Sequence, residues 1–173
     1  CYGGPGVDDL ADVRWLGSWA PGGQVGDFPD GTGIAIEAGS KLVLQVHMNA
    51  TEKGTEDALV SLEMSVEEEV ERPALIQPWT NPLWVFSQTM DIPANSEDVT
   101  LGGGYTLPAG KEFEVHAAAL HMHTFGTSAR FSVEHPDGKE SCLLAIDDWD
   151  FDWQRSYGLA ETLVLQAGDR LSV

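Results

Sequence analysis

An all-β fold is predicted here, an antiparallel β-sandwich of the jelly-roll-like kind, and three observations predict it. Apolar residues alternate with polar ones in short runs, the runs are separated by Gly, Pro, Asn and Asp, and helical periodicity is nearly absent. Taken in order, the first forty residues are rich in glycine and poor in strand patterns, and read as the closing part of a domain. Residues 41–47 form the first clear run, with Leu42, Leu44 and Val46 on one face and Val43, Gln45 and His47 on the other. In the next run Val60, Leu62, Met64 and Val66 face inward, while Ser61, Glu63, Ser65 and Glu67 face water. It continues into Glu67, Glu68, Glu69 and Glu71, a charged edge that resists edge-to-edge pairing. Later strands are expected at 99–102, 113–123, 129–135, 141–146 and 162–166, with turns at 108–110, 136–138 and 167–169. The polar segment 49–57, which carries Gly54, is the expected linker, so that 1–54 ends one domain and 55–173 makes most of a second, cut off in its last strand.

The bulk composition narrows the function. At 173 residues with 42% apolar content, the chain is long enough to build a real core, and no apolar run approaches the length of a membrane span. Nine basic against 28 acidic residues give a net charge of −19. Nucleic acid is therefore no expected partner, because phosphate binding is dominated by Lys and Arg. Two cysteines, Cys1 and Cys142, leave open whether they pair with each other, since pairing requires close Cα atoms and not an even count.

The most informative motif is His121-Met122-His123. Side chains at i and i+2 of a strand share a face, so His121 and His123 project together while Leu120 and Met122 face the other way. Two imidazoles converging from one strand are a natural pair of metal ligands. A third histidine, His47, ends the strand Leu44-Gln45-Val46-His47. The acidic stretch Asp148, Asp150 and Asp152 lacks the glycine and distal glutamate of a helix-loop-helix calcium site. It reads instead as a strand with Trp149, Phe151 and Trp153 on its core face.

Several patterns occur in a fixed order: Gly17-Ser18-Trp19-Ala20-Pro21-Gly22, then Phe28-Pro29-Asp30-Gly31-Thr32-Gly33, then Leu44-Gln45-Val46-His47, then Leu120-His121-Met122-His123 with Gly126 close behind. With the tail 149–157 and Gly168-Asp169-Arg170-Leu171, they resemble the copper type II, ascorbate-dependent monooxygenases, the family of peptidylglycine α-hydroxylating monooxygenase and dopamine β-monooxygenase, in its bacterial branch. The resemblance spans essentially the whole chain. It implies two β-sandwich domains with one copper each, ascorbate or an equivalent as reductant, dioxygen and a small organic substrate as partners, and a secreted or periplasmic location. It also implies that His47 serves an electron-transfer copper and that His121 and His123 serve the copper where an aliphatic C–H bond is hydroxylated. Imidazole suits both copper oxidation states, and a thioether would favour Cu(I).

The chain departs from that pattern in three ways. The adjacent His-His pair of the electron-transfer copper is expected before Cys1, and the distal methionine is expected after His123, where no methionine follows. These 173 residues are therefore expected to be inactive by themselves, as part of an active parent. Peptide-amidating members carry an arginine two positions before the first histidine of the pair; here that position is Ala119, which offers no charge to a substrate carboxylate. Met48, after His47, reads as a core filler. Two other readings compete. One is a non-catalytic copper- or carbohydrate-binding sandwich; the other is a cupin-type metal oxygenase, for which the glutamate expected shortly after His123 is missing from Thr124 to Ser128. A zinc hydrolase is weaker, because no general base accompanies the pair.

Overall fold

The computed structural model describes residues 13–23, 28–48, 59–87 and 89–173. It is nearly all β, as expected. The chain divides into two compact units, Cys1–Leu16 with Asp30–Ile76, and Gly17–Pro29 with Gln77–Val173. The linker expected at 49–57, and with it the division at residue 54, lies outside the described residues.

In the first unit two short strands, β1 (Thr32–Gly33) and β2 (Arg72–Pro73), pair in parallel, and an isolated antiparallel bridge joins Trp15 to Ile76. The turn before β1 uses Gly31 at φ 72°, a conformation glycine adopts without a Cβ penalty. The strands expected at 41–47 and 60–66 are not strands here, and their apolar residues stay exposed, Leu42 at 54% and Leu62 at 58%. Alternation selects a face, but a ladder also needs a neighbouring strand, and among the described residues none pairs with these runs. Glu67 to Glu71 are exposed, in keeping with a solvated acidic run.

The second unit holds a short helix, a two-stranded sheet and a four-stranded sheet. Helix α1 (Pro82–Phe86) has one turn and a little more; Asn81 caps it by accepting the Leu83 N–H at 3.0 Å, and Pro82 occupies its first turn. Strands β3 (Gly104–Thr106), β5 (Ala129–Glu134), β6 (Glu140–Ile146) and β8 (Arg170–Ser172) form an antiparallel sheet in the order β3-β8-β5-β6. Strands β4 (Phe113–Ala119) and β7 (Ser156–Leu165) form an antiparallel pair of their own. The core lies between them, with Ala118 of β4 and Leu165 of β7 packed with Val133 of β5, Leu143 of β6 and Leu107. Val133 is fully buried. Each such aliphatic side chain contributes about 1.5–3 kcal/mol on burial.

The three expected turns are present. Gly110, Gly138 and Gly168 all take positive φ, and the Gly138 N–H donates to the His135 carbonyl in the β5–β6 hairpin. Strand ends differ from expectation. The element expected at 99–102 begins instead at Gly104, that at 162–166 starts six residues earlier, and that at 113–123 stops at Ala119. Residues 147–155 form a turn and not a strand: the Asp150 carboxylate accepts the Asp152 N–H at 2.9 Å, and the Trp153 N–H donates to the Asp150 carbonyl. An aspartate side chain that closes a turn on the backbone two residues on competes directly with a ladder. Trp149 is buried there, whereas Trp153 is exposed.

Candidate metal centre

The histidine pair owes its direction to an irregularity in β4. Val115 lies opposite Leu163, yet Ala117 lies opposite Gly158, so the register shifts at His116. Val115 packs on the core before the shift and Ala118 is buried after it, so the inward face changes from odd-numbered to even-numbered residues. A slip of one residue turns every later side chain to the opposite face. Leu120 and Met122 are accordingly half-buried, while His121 and His123 are exposed. Without the shift, both imidazoles would continue on the Val115 face, toward the core.

His121 and His123 lie past the end of β4, in the segment that leads into the turn at Thr124 and Phe125. Their side chains nonetheless stay together, with ring centroids 5.3 Å apart and planes 72° from parallel. The turn is closed by the Gly126 N–H donating to the His123 carbonyl at 3.0 Å. Met122 does not join the core cluster; it packs on Gly126, where an added Cβ would stand 3.0 Å from its sulfur. The approach requires a glycine.

Gln154 is the residue that alternation misplaced. Extending the expected strand puts it on the wet face with Asp148, Asp150 and Asp152, whereas it is 8% exposed. Its Nε2 donates to the Phe151 carbonyl at 2.7 Å, which fixes the orientation of the carboxamide. Its Oε1 therefore faces His121 Nδ1, at 2.5 Å. An amide oxygen accepts and does not donate, so the proton sits on Nδ1 and the lone pair of His121 on Nε2. Metal-binding histidines are held in this way, one nitrogen donating to a fixed acceptor and the other free to ligate.

The glycine-rich segment ahead of the first strand supports this arrangement from behind. The Gln154 N–H donates to the Pro21 carbonyl at 3.1 Å. Gly22, at φ 74°, packs so closely that a Cβ would stand 2.1 Å from the Asp152 carbonyl oxygen, and one on Gly23 would stand 2.8 Å from that of Gln154. Two motifs more than a hundred residues apart in sequence, Ala20-Pro21-Gly22-Gly23 and Trp153-Gln154, thus form one backbone contact beneath the histidine. No periodicity could have revealed it; the run of small residues was the available signal.

Ala119 is exposed on the histidine face, and its partner across the sheet is Ser156, so both residues at this level are neutral. His47 belongs to the first unit and the pair to the second. Among the described residues no three His, Cys, Asp or Glu side chains gather as a metal cage. Cys142 is an exposed free thiol on β6, and Cys1 lies outside the described residues. No helix among the described residues is long and apolar enough to cross a membrane. No family model, curated protein or solved structure matches the chain.

Proposed function

We propose that this chain is part of a copper-dependent monooxygenase that hydroxylates an aliphatic C–H bond with dioxygen and an external reductant such as ascorbate. The observation that carries the reading is the tautomer of His121: a buried glutamine holds the proton on Nδ1 and leaves Nε2 unencumbered beside the ring of His123. A histidine on a wet surface needs no buried partner to choose its tautomer. Two imidazoles fit copper in either oxidation state, so the donor chemistry suits the group.

In this reading His121 and His123 hold the catalytic copper, and His47, in the other unit, serves the electron-transfer copper. Copper supplies one-electron redox chemistry with dioxygen, which side chains alone do not perform. The protein's part is to orient the ligands. Gln154 fixes the His121 ring, Gly22 and Gly23 fix Gln154, and the shift at His116 turns the pair outward. Neutral Ala119 and Ser156 on the same face favour an uncharged substrate over a peptide carboxylate. A secreted or periplasmic location goes with the assignment.

The 173 residues contain no adjacent His-His pair and no methionine after His123. Those missing donors favour a second reading, a non-catalytic copper-binding sandwich. Cu(I) titration of the chain, followed by ascorbate-driven oxygen uptake with the flanking sequence restored, separates the two. Copper binding lost in His121→Ala, together with coupled hydroxylation in the longer protein, supports the enzyme. Copper binding without oxygen uptake supports the binding module, and no dependence on His121 removes both.

A further inference from the structure

A second constellation lies at the β5–β6 hairpin and shares no residue with the histidine pair. His135 Nδ1 is 2.8 Å from Asp169 Oδ1, and its Nε2 is 2.9 Å from Ser141 Oγ. Asp169 is 3% exposed, and its second oxygen accepts the Gln166 N–H at 2.8 Å, so the carboxylate is held at both ends. It is held below the usual carboxylate range chiefly by that backbone N–H, with His135 assisting and burial opposing. An ionised carboxylate only accepts, which places the imidazole proton on Nδ1 and leaves Nε2 to accept the Ser141 hydroxyl proton. Nucleophile, base and orienting acid thus stand in sequence at hydrogen-bond distance.

The three line a solvent-open cavity of about 590 Å³, together with Asp137, Lys139 and Gln166. A polar knot that only tied the hairpin to the β7–β8 turn would need no such space beside its hydroxyl. We propose that Ser141 is a nucleophile activated by His135, with Asp169 as the positioning residue, and that it takes acyl groups from small activated esters. In the forward step Ser141 Oγ bonds to the ester carbonyl carbon as its proton passes to His135 Nε2. The acyl C–O bond then breaks and the alcohol leaves with that proton. Water, deprotonated by the same nitrogen, releases the carboxylic acid and restores the hydroxyl. No oxidant or metal is required. The donors near a developing oxyanion are the Lys139 ammonium and the Gln166 carboxamide, side chains in place of a rigid pair of backbone N–H groups. That restricts the site to substrates with good leaving groups.

The test is covalent labelling of the full chain with diisopropyl fluorophosphate, in which the Ser141 O–P bond forms, P–F breaks and the proton goes to His135. Mass mapping is expected to find one adduct, on Ser141, absent in Ser141→Ala, with labelling slowed about a hundredfold in His135→Gln, the usual scale for a general base. Far-ultraviolet circular dichroism checks that the variants fold. On the unaltered chain the labelling rate is expected to fall in acid as His135 gains a proton. The groups facing that ring are Asp169 from the β7–β8 turn, Asp137 and Lys139 from the hairpin turn, and Glu140 and Ser141 from β6. No adduct on Ser141, an adduct elsewhere only, or labelling indifferent to both acid and His135→Gln overturns the proposal.

Discussion

Gln154 Oε1 accepts a hydrogen bond from His121 Nδ1 at 2.5 Å, and this one contact decides which nitrogen of His121 is free. Substituting Gln154 should therefore alter metal binding without touching a ligand. Gln154→Ala is expected to weaken copper binding at the histidine pair about 10–100-fold, the scale of such supporting contacts. Titration with Cu(I) against a competing chelator measures it. Unchanged affinity in a folded Gln154→Ala protein would separate the glutamine from the metal.

Gly22 is expected to tolerate no side chain. A Cβ there would collide with the Asp152 carbonyl oxygen, and φ 74° is itself unfavourable for alanine. Gly22→Ala should cost about 1–3 kcal/mol of stability. It should also shift the backbone of Gln154, so that copper affinity falls together with the midpoint of urea unfolding. Gly39, at a similar φ of 84° but with open space around it, is the comparison: Gly39→Ala should cost less.

Truncating the core centre tests the sandwich directly. Val133→Ala removes two methyl groups at the one large side chain that is fully buried, between sheets contributed by β4 and β7 on one side and β5 and β6 on the other. About 2–3 kcal/mol should be lost, the transfer of two methyls plus the cavity left behind. Chemical denaturation measures the loss, and a loss below about 0.5 kcal/mol would contradict the packing.

Asp169 should make stability depend on pH in acid. Its carboxyl is held below its ordinary value of 3.8, first by the Gln166 N–H and then by His135. A group whose folded-state pKa is depressed contributes stability that is complete above the unfolded value and disappears as pH falls through the lower folded value. Asp169→Asn is therefore expected to be less stable than the unaltered chain at pH 6, with the gap closing below about pH 4. Thermal melts of both proteins across pH 2–7 would read this. A constant gap would assign the loss to packing instead of charge.

Local chemistry carried far into the structure. Pro136-Asp137-Gly138 and Ala167-Gly168-Asp169 were legible as turns because a glycine at positive φ and a turn-forming aspartate act within four residues. The strands at 113, 129 and 141 were legible from alternation, as was the sharing of one face by His121 and His123. The run 147–153 was misread because its alternation is genuine, yet Asp150 turns its carboxylate onto the backbone at Asp152. Residues 41–47 and 60–66 show the same limit from the other side, a strand pattern without a strand to pair with.

By itself, then, the sequence determined the all-β class, the turns and the pairing of His121 with His123, because each depends on residues a few positions apart. Tertiary structure decided which way that pair points and what holds it. The register shift at His116 exists only through pairing with β7, some forty residues on, and it reverses the face of every residue after it. Gln154 reaches His121 only because the 147–155 turn folds back and Pro21 and Gly22 close beneath it. Contacts between distant segments depend on where the chain returns in space, and periodicity along the chain holds no record of that.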